Sequence, residues 1–262
     1  MPNTFSRSFQ LVKESFSVLN KDREILIFPL LSLIVNVILL SFFVISLFLF
    51  KLPSGFIYVI LLFFYYLILY FVGIFFNASL VTYANIRLNG GNPSFSDGIR
   101  NSFRNIGKIF LWAIISATIG IILKVIADKS KTFSKIVVSL IGIAWSLLTF
   151  FIVPVLVLEN LGLIDSIKKS GYLFKKTWGE NAIGNLSIGA FFILLFIIGL
   201  VPLALIAYYY TVWVFLILVF YVIILSILSS SLTSIYTVAL YNYANTEKIS
   251  FFSQETIKKA FI

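Results

Sequence analysis

The chain contains no cysteine and no histidine among its 262 residues. Without cysteine it has no disulfide, no thiol nucleophile and no site for a thiol-linked lipid. Without histidine it lacks the side chain that most often binds metals or acts as a general base near neutral pH. Charged residues are also scarce, at 11% of the chain, whereas an average soluble domain has about a quarter. These absences make a soluble enzyme a poor description of this protein.

Long apolar runs fill the space that charged residues leave. Hydrophobic residues are 60% of the chain, and a helix needs ~20 apolar residues to cross a bilayer. Asn181–Thr246 contains no charge and is too long for one span, so we divide it near Ala207–Thr211. The other predicted spans are Ile25–Phe50, Leu52–Ile86, Ile109–Leu123 and Ile136–Leu158. We therefore predict an all-α fold, a polytopic membrane bundle of six transmembrane helices forming a single integral membrane domain over residues 1–262.

The basic residues give this bundle an orientation. Of the 20 lysines and arginines, only five fall on one side, namely Lys51, Lys124, Lys129, Lys131 and Lys135. The positive-inside rule then predicts a cell-membrane protein with both termini in the cytoplasm. The long basic region before the first span and the lack of a small-residue cleavage site argue against a cleavable signal. Because the remaining basic residues are spread over four segments, we expect anionic lipid and not nucleic acid as their partner.

Each cytoplasmic segment is predicted to form an amphipathic helix. The apolar stripe of the second is Phe95, Ile99, Phe103 and Ile106, and that of the third is Ile164, Ile167, Phe174 and Trp178. Ser94 and Asp97 have the spacing of a capping box. Residues 97–102 (DGIRNS) match residues 165–170 (DSIKKS), and residues 255–260 (ETIKKA) match again. We interpret the chain as three parallel two-span units, at 4–87, 93–160 and 163–246, followed by a closing helix at 252–262; alternatively, basic segments between spans are amphipathic without duplication.

Six basic residues of these segments are the candidate contacts to lipid headgroups. They are Lys168, Lys169, Lys175, Lys176, Arg100 and Arg104. Trp178 suits the membrane interface because its ring is amphipathic, and Gly179 is predicted to end the third amphipathic helix in a left-handed conformation.

A second set of residues could form a polar or transport site. Glu159 ends an otherwise apolar run that Pro154 is predicted to kink, so its carboxylate could bind a cation or relay a proton. The simpler alternative is an ion pair with Lys168 or Lys169 at the cytoplasmic interface, which its shallow predicted depth favours. Ser226, Ser230 and Ser234 recur every four residues in the last span. They could line a hydrophilic path, but close helix packing is the simpler explanation because no charge accompanies them.

No catalytic constellation is recognisable in the sequence. The acidic residues show no metal-ligand spacing within one span, and no phosphate loop, nucleophile elbow or zinc motif is present. We therefore expect no enzymatic activity, no cofactor and no metal. Our leading hypothesis is a structural, accessory or lipid-interacting membrane protein, and the alternative is a small-solute transporter or channel. A protein partner or a homo-oligomer remains open.

Several stretches together resemble one family. They are Arg7-Ser8-Phe9, residues 22–29 (DREILIFP), Gly90 and Gly91, residues 97–99, residues 112–120 (WAIISATIG), residues 154–159, Lys169-Ser170 and residues 177–181 (TWGEN). The chain resembles an uncharacterised family of six-span prokaryotic membrane proteins over nearly its whole length. It is more distantly similar to the membrane domain attached to some glycerophosphodiester phosphodiesterases. Because the soluble catalytic domain of those enzymes is absent, the resemblance implies a fold and a location but no reaction.

Overall fold

The computed structural model describes residues 15–50, 56–129, 132–207 and 211–246. Within these residues the chain is helical apart from short connections, and no strand occurs. The helices in chain order are α1 at residues 15–21, α2 at Ile27–Phe50, α3 at Phe56–Leu88, α4 at Phe95–Arg104, α5 at Ile106–Lys129, α6 at Thr132–Leu148, α7 at Ile152–Leu158, α8 at Leu163–Lys176, α9 at Trp178–Ala207 and α10 at Thr211–Thr246. A 3₁₀ turn at Arg23–Leu26 joins α1 to α2. The predicted all-α fold is confirmed.

Six stretches of the described chain are helical, long and apolar enough to cross a membrane. They are Arg23–Phe48, Ile60–Leu88, Ile106–Asp128, Ile136–Leu158, Ile183–Leu203 and Val214–Asn245. In the most apolar 18-residue stretch of each span, at most 22% of the residues are buried within the chain. Most of the apolar surface of the spans is therefore free to face lipid. The protein is a multi-pass membrane protein, and the predicted number and order of spans are confirmed. The third span is longer than predicted because the helix continues through Lys108 and Lys124.

Two helices are exposed along one half and buried along the other. In α3 the side chains near Phe64 are exposed, whereas Ala78, Leu80 and Val81 are buried. In α10 the side chains near Phe220 are exposed, whereas almost every residue from Ser231 onward is buried. At 33 and 36 residues, both helices exceed the ~20 that a bilayer requires, so the buried halves can extend beyond the hydrocarbon core.

The fourth span is interrupted close to Pro154. Helix α6 ends at Leu148, three residues form a turn, and α7 begins at Ile152. A proline has no N–H for the carbonyl four residues earlier, here that of Phe150, so a regular helix cannot pass through this turn unchanged. Hydrogen bonds of the i→i+3 type replace the lost pattern, from Phe150 N to Leu147 O at 3.3 Å and from Ile152 N to Thr149 O at 3.0 Å.

Two further helix ends test predictions made from glycines. The end of α3 uses Gly90, whose φ of 84° lies in the left-handed region that favours glycine, and Gly91 N donates to Ile86 O at 2.9 Å. The prediction for Gly179 is wrong. Helix α8 already ends at Lys176, and Gly179 lies inside the first turn of α9. The turn between the two helices is at Thr177, which is buried.

The chain forms two compact units, each made of separate segments. Among the described residues, unit 1 takes those up to Ile27, Ala84–Asn92 and those from Thr177 onward. There α9 packs along α10, and the approach at Gly184 is so close that a Cβ would overlap the ring of Tyr236. Unit 2 takes Phe28–Tyr83 and Pro93–Lys176. In unit 2 the rings of Trp112 in α5 and Trp145 in α6 stack with centroids 5.8 Å apart.

Candidate functional site

The amphipathic helix α4 packs closely through small residues, and two rings of its predicted apolar stripe also make contacts, Phe95 with Phe28 at 5.1 Å and Phe103 with Phe75 at 5.0 Å between centroids. Gly98 and Ser102 are its buried residues, whereas Phe103 is 57% exposed. A Cβ on Gly98 would lie 2.6 Å from Ser79 O of α3, so only glycine allows this approach. Ser79 Oγ donates to Ser102 Oγ at 2.8 Å across the same contact. The closest approach of α4 to α3 is therefore at Gly98 and Ser102, because close backbone contact requires the smallest side chains.

Helix α8 repeats this arrangement one unit later in the sequence. Ser166, Ser170, Leu173 and Phe174 are buried, so one member of the predicted stripe, Phe174, is packed, whereas another, Ile164, is 69% exposed. Ser170 Oγ accepts a hydrogen bond from Phe151 N at 3.0 Å. That N–H belongs to the interruption of the fourth span, where the regular intrahelical partner is missing. Ser170 thus satisfies a buried donor that would otherwise destabilise the fold by about 1–3 kcal/mol.

Both amphipathic helices reach the carboxyl end of α7. Asn101 of α4 donates from Nδ2 to Val157 O at 3.0 Å and to Thr82 Oγ1 of α3 at 2.8 Å. Lys169 of α8 lies 2.7 Å from Glu159 Oε2, the residue that follows α7. Because Val157 and Glu159 are neighbours in sequence, α4 and α8 meet at the same end of the fourth span.

Glu159 and Lys169 form a partly buried ion pair. The side chain of Glu159 is 17% exposed and that of Lys169 is 34% exposed, so solvent still screens the pair. The pair is worth about 1 kcal/mol, near the upper end for exposed pairs. The structure thus pairs Glu159 with Lys169, one of the two partners named in the simpler alternative, and it places Pro154, buried, inside α7.

The outward face of α8 alternates apolar and basic side chains. Ile164, Lys168, Tyr172 and Lys175 follow one another at intervals of four, four and three residues, which places them on one helix face, and all four are exposed. Lys176 lies beside them and is also exposed. The contact between Lys168 and Asp165 is long, at 3.9 Å, and both side chains are well exposed, so it contributes little.

On α4, exposed Arg100 and Arg104 flank Phe103. Of the six predicted headgroup contacts, five are therefore exposed, and the sixth, Lys169, is held in the ion pair with Glu159.

The start of α4 is fixed by the predicted pair of Ser94 and Asp97. The Asp97 carboxylate accepts hydrogen bonds from Ser94 N at 2.9 Å and from Ser94 Oγ at 2.7 Å. These bonds favour the charged form, so they lower the pKa of Asp97 below its ordinary value, and Arg100 adds a smaller effect in the same direction.

The three serines of α10 do not share one environment. Ser234 is buried, whereas Ser226 and Ser230 are exposed. A continuous polar lining would require a common surface, and the stripe instead crosses from the exposed to the buried half of the helix.

An ion pair of unit 1 was missed in the sequence. Arg87 donates to Asp22 Oδ2 through Nε at 2.6 Å, and its Nη2 lies 2.5 Å from the same oxygen. The carboxylate is only 8% exposed, so removing the arginine would leave a buried charge and cost about 3 kcal/mol. The two residues are 65 positions apart, and no local pattern joins them.

Within the described part of the chain, no three acidic side chains lie close enough to hold a metal ion.

Comparison with known proteins gives one match. The family of unknown function DUF6159 matches residues 56–251, about three quarters of the chain. No curated protein and no solved structure matches. The more distant similarity to the membrane domain of some glycerophosphodiester phosphodiesterases finds no support in these comparisons.

Proposed function

The chain belongs to DUF6159, a family of unknown function, and from its own residues we propose a non-enzymatic membrane protein whose helices α4 and α8 bind anionic lipid headgroups. The observation that carries the proposal is the exposed face of α8, where Ile164 and Tyr172 alternate with Lys168 and Lys175. Apolar side chains that enter the acyl boundary, interleaved with lysines that reach the headgroups, are typical of helices lying in the membrane interface.

The opposite face of each helix supports the same proposal. The buried residues of α4 and α8 pack against the helices of unit 2, and we place both helices at the level where the spans leave the hydrocarbon core. From there, long lysine and arginine side chains can extend to phosphate oxygens. Each basic residue near an anionic surface contributes ~1 kcal/mol, so Lys168, Lys175 and Lys176 together supply up to about 3 kcal/mol at low ionic strength.

The proposed orientation follows from the same residues. We place the protein in the cell membrane with both termini in the cytoplasm, because the four segments on the side of α4 and α8 carry 15 of the 20 basic residues. The meeting of α4 and α8 at one end of α7 supports a common side for these two helices.

The experiment is native mass spectrometry of the full chain extracted gently from its own membrane. The test variant carries Lys168→Gln, Lys175→Gln and Lys176→Gln. The matched control carries Lys124→Gln, Lys129→Gln and Lys135→Gln, which removes the same charge from the segment proposed on the other side. We expect the wild type and the control to retain anionic lipid and the test variant to lose most of it. Equal retention in all three would end the proposal.

A structural or accessory role is the broader form of this proposal. The spans leave most of their apolar surface uncovered, which is compatible with either lipid or a second membrane protein as neighbour. The same mass spectra distinguish these cases, because a stoichiometric protein partner or a homo-oligomer would appear as a larger complex.

Transport remains the alternative function, with less support. Glu159 is engaged by Lys169, and the serines of α10 lie on different surfaces. A solute flux in proteoliposomes that disappeared with Glu159→Gln would favour transport over the lipid-binding proposal.

We also propose that α4 and α8 are copies of one ancestral segment. Three pairs of matched positions support this. Gly98 and Ser166 are both buried, Ser102 and Ser170 both hydrogen-bond the preceding helical segment, and Asn101 and Lys169 both contact a residue near the end of the preceding span. The closing helix predicted at 252–262 and most of the first amphipathic helix lie outside the described residues. A structure in which the segment before span 1 packs by a different face would contradict duplication of all three units.

A further inference from the structure

Unit 1 contains an open cavity of about 600 Å³ beside the start of the first span. Its wall comes from α1, the 3₁₀ turn and the middle of α10. The lining residues are Phe16, Ser17, Leu19, Asn20, Arg23, Leu26 and Leu228. Pockets of about 300–1,000 Å³ are the usual size for bound small molecules.

The lining divides into a polar and an apolar part. Arg23 supplies a guanidinium, Asn20 an amide and Ser17 a hydroxyl, and all three residues are exposed. Phe16, Leu19, Leu26 and Leu228 supply the apolar wall. A ligand that satisfies both parts is an amphiphile, with a hydrogen-bonding anionic group at one end and a hydrocarbon chain at the other.

The local charges favour an anion at Arg23. Among the residues that the structure describes, no acidic side chain lines the cavity. The neighbouring carboxylate of Asp22 is turned to Arg87, which it contacts at 2.5 Å, so the ion pair of Asp22 holds a different arginine. Glu24 lies on the other side of Arg23 in sequence and does not line the cavity. A guanidinium presented in this way suits phosphate, which it can bind through two parallel hydrogen bonds.

The position of the cavity identifies the source of the amphiphile. Arg23 is the first residue of the first membrane-spanning stretch, where an arginine side chain lies at the level of the lipid headgroups. Phe16 is anchored on α9, with its ring centroid 5.4 Å from that of Phe191, so the apolar wall is built from packed side chains. We propose that this cavity binds one anionic phospholipid of the bilayer, with the phosphate at Arg23 and one acyl chain against Leu19, Leu26 and Leu228.

The cavity lies in unit 1, whereas the basic faces of α4 and α8 lie in unit 2. It predicts a single lipid held in a defined position, whereas those faces attract headgroups through summed charge. Variants at Arg23 and variants at the α8 lysines therefore test the two proposals independently.

The experiment uses the full chain in phosphatidylcholine vesicles that contain a minor fraction of phosphatidylglycerol with a photoactivatable group on one acyl chain. Crosslinked peptides are mapped by mass spectrometry. We expect crosslinks on the peptides that contain Leu19, Leu26 or Leu228. Their yield should fall about tenfold in Arg23→Gln, the effect of losing one charged hydrogen-bonding partner, and should largely return in Arg23→Lys.

Two further variants keep the test independent of folding and of the α8 proposal. Leu228→Trp fills the apolar part with Arg23 intact, and we expect it to lose the crosslink. The variant with Lys168→Gln, Lys175→Gln and Lys176→Gln should crosslink like the wild type at this cavity. Equal yields in wild type and Arg23→Gln, or equal yields with photoactivatable phosphatidylcholine, would overturn the proposal. Full competition by soluble glycerol phosphate would also overturn it, because a free phosphate ester would then suffice without an acyl chain.

Discussion

The hydrogen bond between Ser170 and Phe151 makes a quantitative prediction about how α8 is held. In Ser170→Ala the hydroxyl that accepts from Phe151 N at 3.0 Å is lost, and both residues are fully buried. Water has no access to replace the acceptor, so the free energy of unfolding should fall by about 1–3 kcal/mol. The middle of that range, about 2 kcal/mol, corresponds to a decrease in Tm of about 4–8 °C for a chain of this size.

Ser166→Ala is the matched control for this prediction. Ser166 is also fully buried on α8, but its hydroxyl donates to Gly162 O at 2.8 Å beside its own helix and satisfies no N–H of the fourth span. Thermal unfolding of both variants in the same detergent compares them directly. We expect Ser170→Ala to unfold at the lower temperature. If the two variants unfold together, the Phe151 N–H does not depend on Ser170, and the docking of α8 must rest on packing alone.

Three further predictions concern the same unit. Glu159→Gln removes the counterion of partly buried Lys169 and should lower the free energy of unfolding by about 1 kcal/mol, and Glu159→Asp should lie between it and the wild type in chemical denaturation. Gly98→Val forces a side chain against Ser79 O and should cost about 1–3 kcal/mol, measured in the same assay; wild-type stability would mean that α4 is free to move away from α3. The hydrogen bonds from Ser94 lower the pKa of Asp97 in the folded state. They therefore stabilise the fold at a pH above the ordinary pKa of a carboxyl group, and this stabilisation is lost as the pH falls through the lowered pKa of Asp97. Thermal unfolding of Asp97→Asn should lack that acid-side loss, and an identical pH profile would contradict the capping role.

Features set by local sequence could be predicted correctly. The six spans follow from runs that are free of charge, and the boundary between α9 and α10 falls at the predicted division near Ala207–Thr211. The interruption near Pro154 follows from a missing N–H. The pairing of Ser94 with Asp97 follows from a spacing of three residues at a helix start.

Features set by tertiary packing could not be predicted in this way. Hydrophobic periodicity identified one face of α4 and α8, and part of it packs, as Phe95 and Phe174 do, but periodicity does not mark the small residues at the closest approach, because lipid also accommodates apolar side chains. The buried Gly98 and Ser170 therefore appeared unimportant beside Phe103 and Ile164. The matched segments 97–102 and 165–170 did contain a signal, since both carry small residues at their second and sixth positions.

The ion pairs show the same division. Glu159 and Lys169 are ten residues apart on either side of a short connection, so their pairing was one of two local alternatives. Asp22 and Arg87 are brought together only when α3 folds back to the start of the first span. Asp22 contacts Arg87, whereas the adjacent Arg23 lines the cavity. This difference depends on the direction of the backbone at the 3₁₀ turn, which hydrophobic periodicity does not predict.

The central claim, that the outward face of α8 lies against anionic lipid, can be measured locally because the chain has no cysteine. A fluorophore attached through Tyr172→Cys would report on the lipid beside Lys168 and Lys175, and one attached through Phe42→Cys, on an exposed part of α2, would report on bulk lipid. Quenching by brominated phosphatidylglycerol is compared with quenching by brominated phosphatidylcholine at both positions. We predict stronger quenching by phosphatidylglycerol at the Tyr172 position only, abolished by Lys168→Gln with Lys175→Gln. Equal quenching by the two lipids at that position would contradict the account.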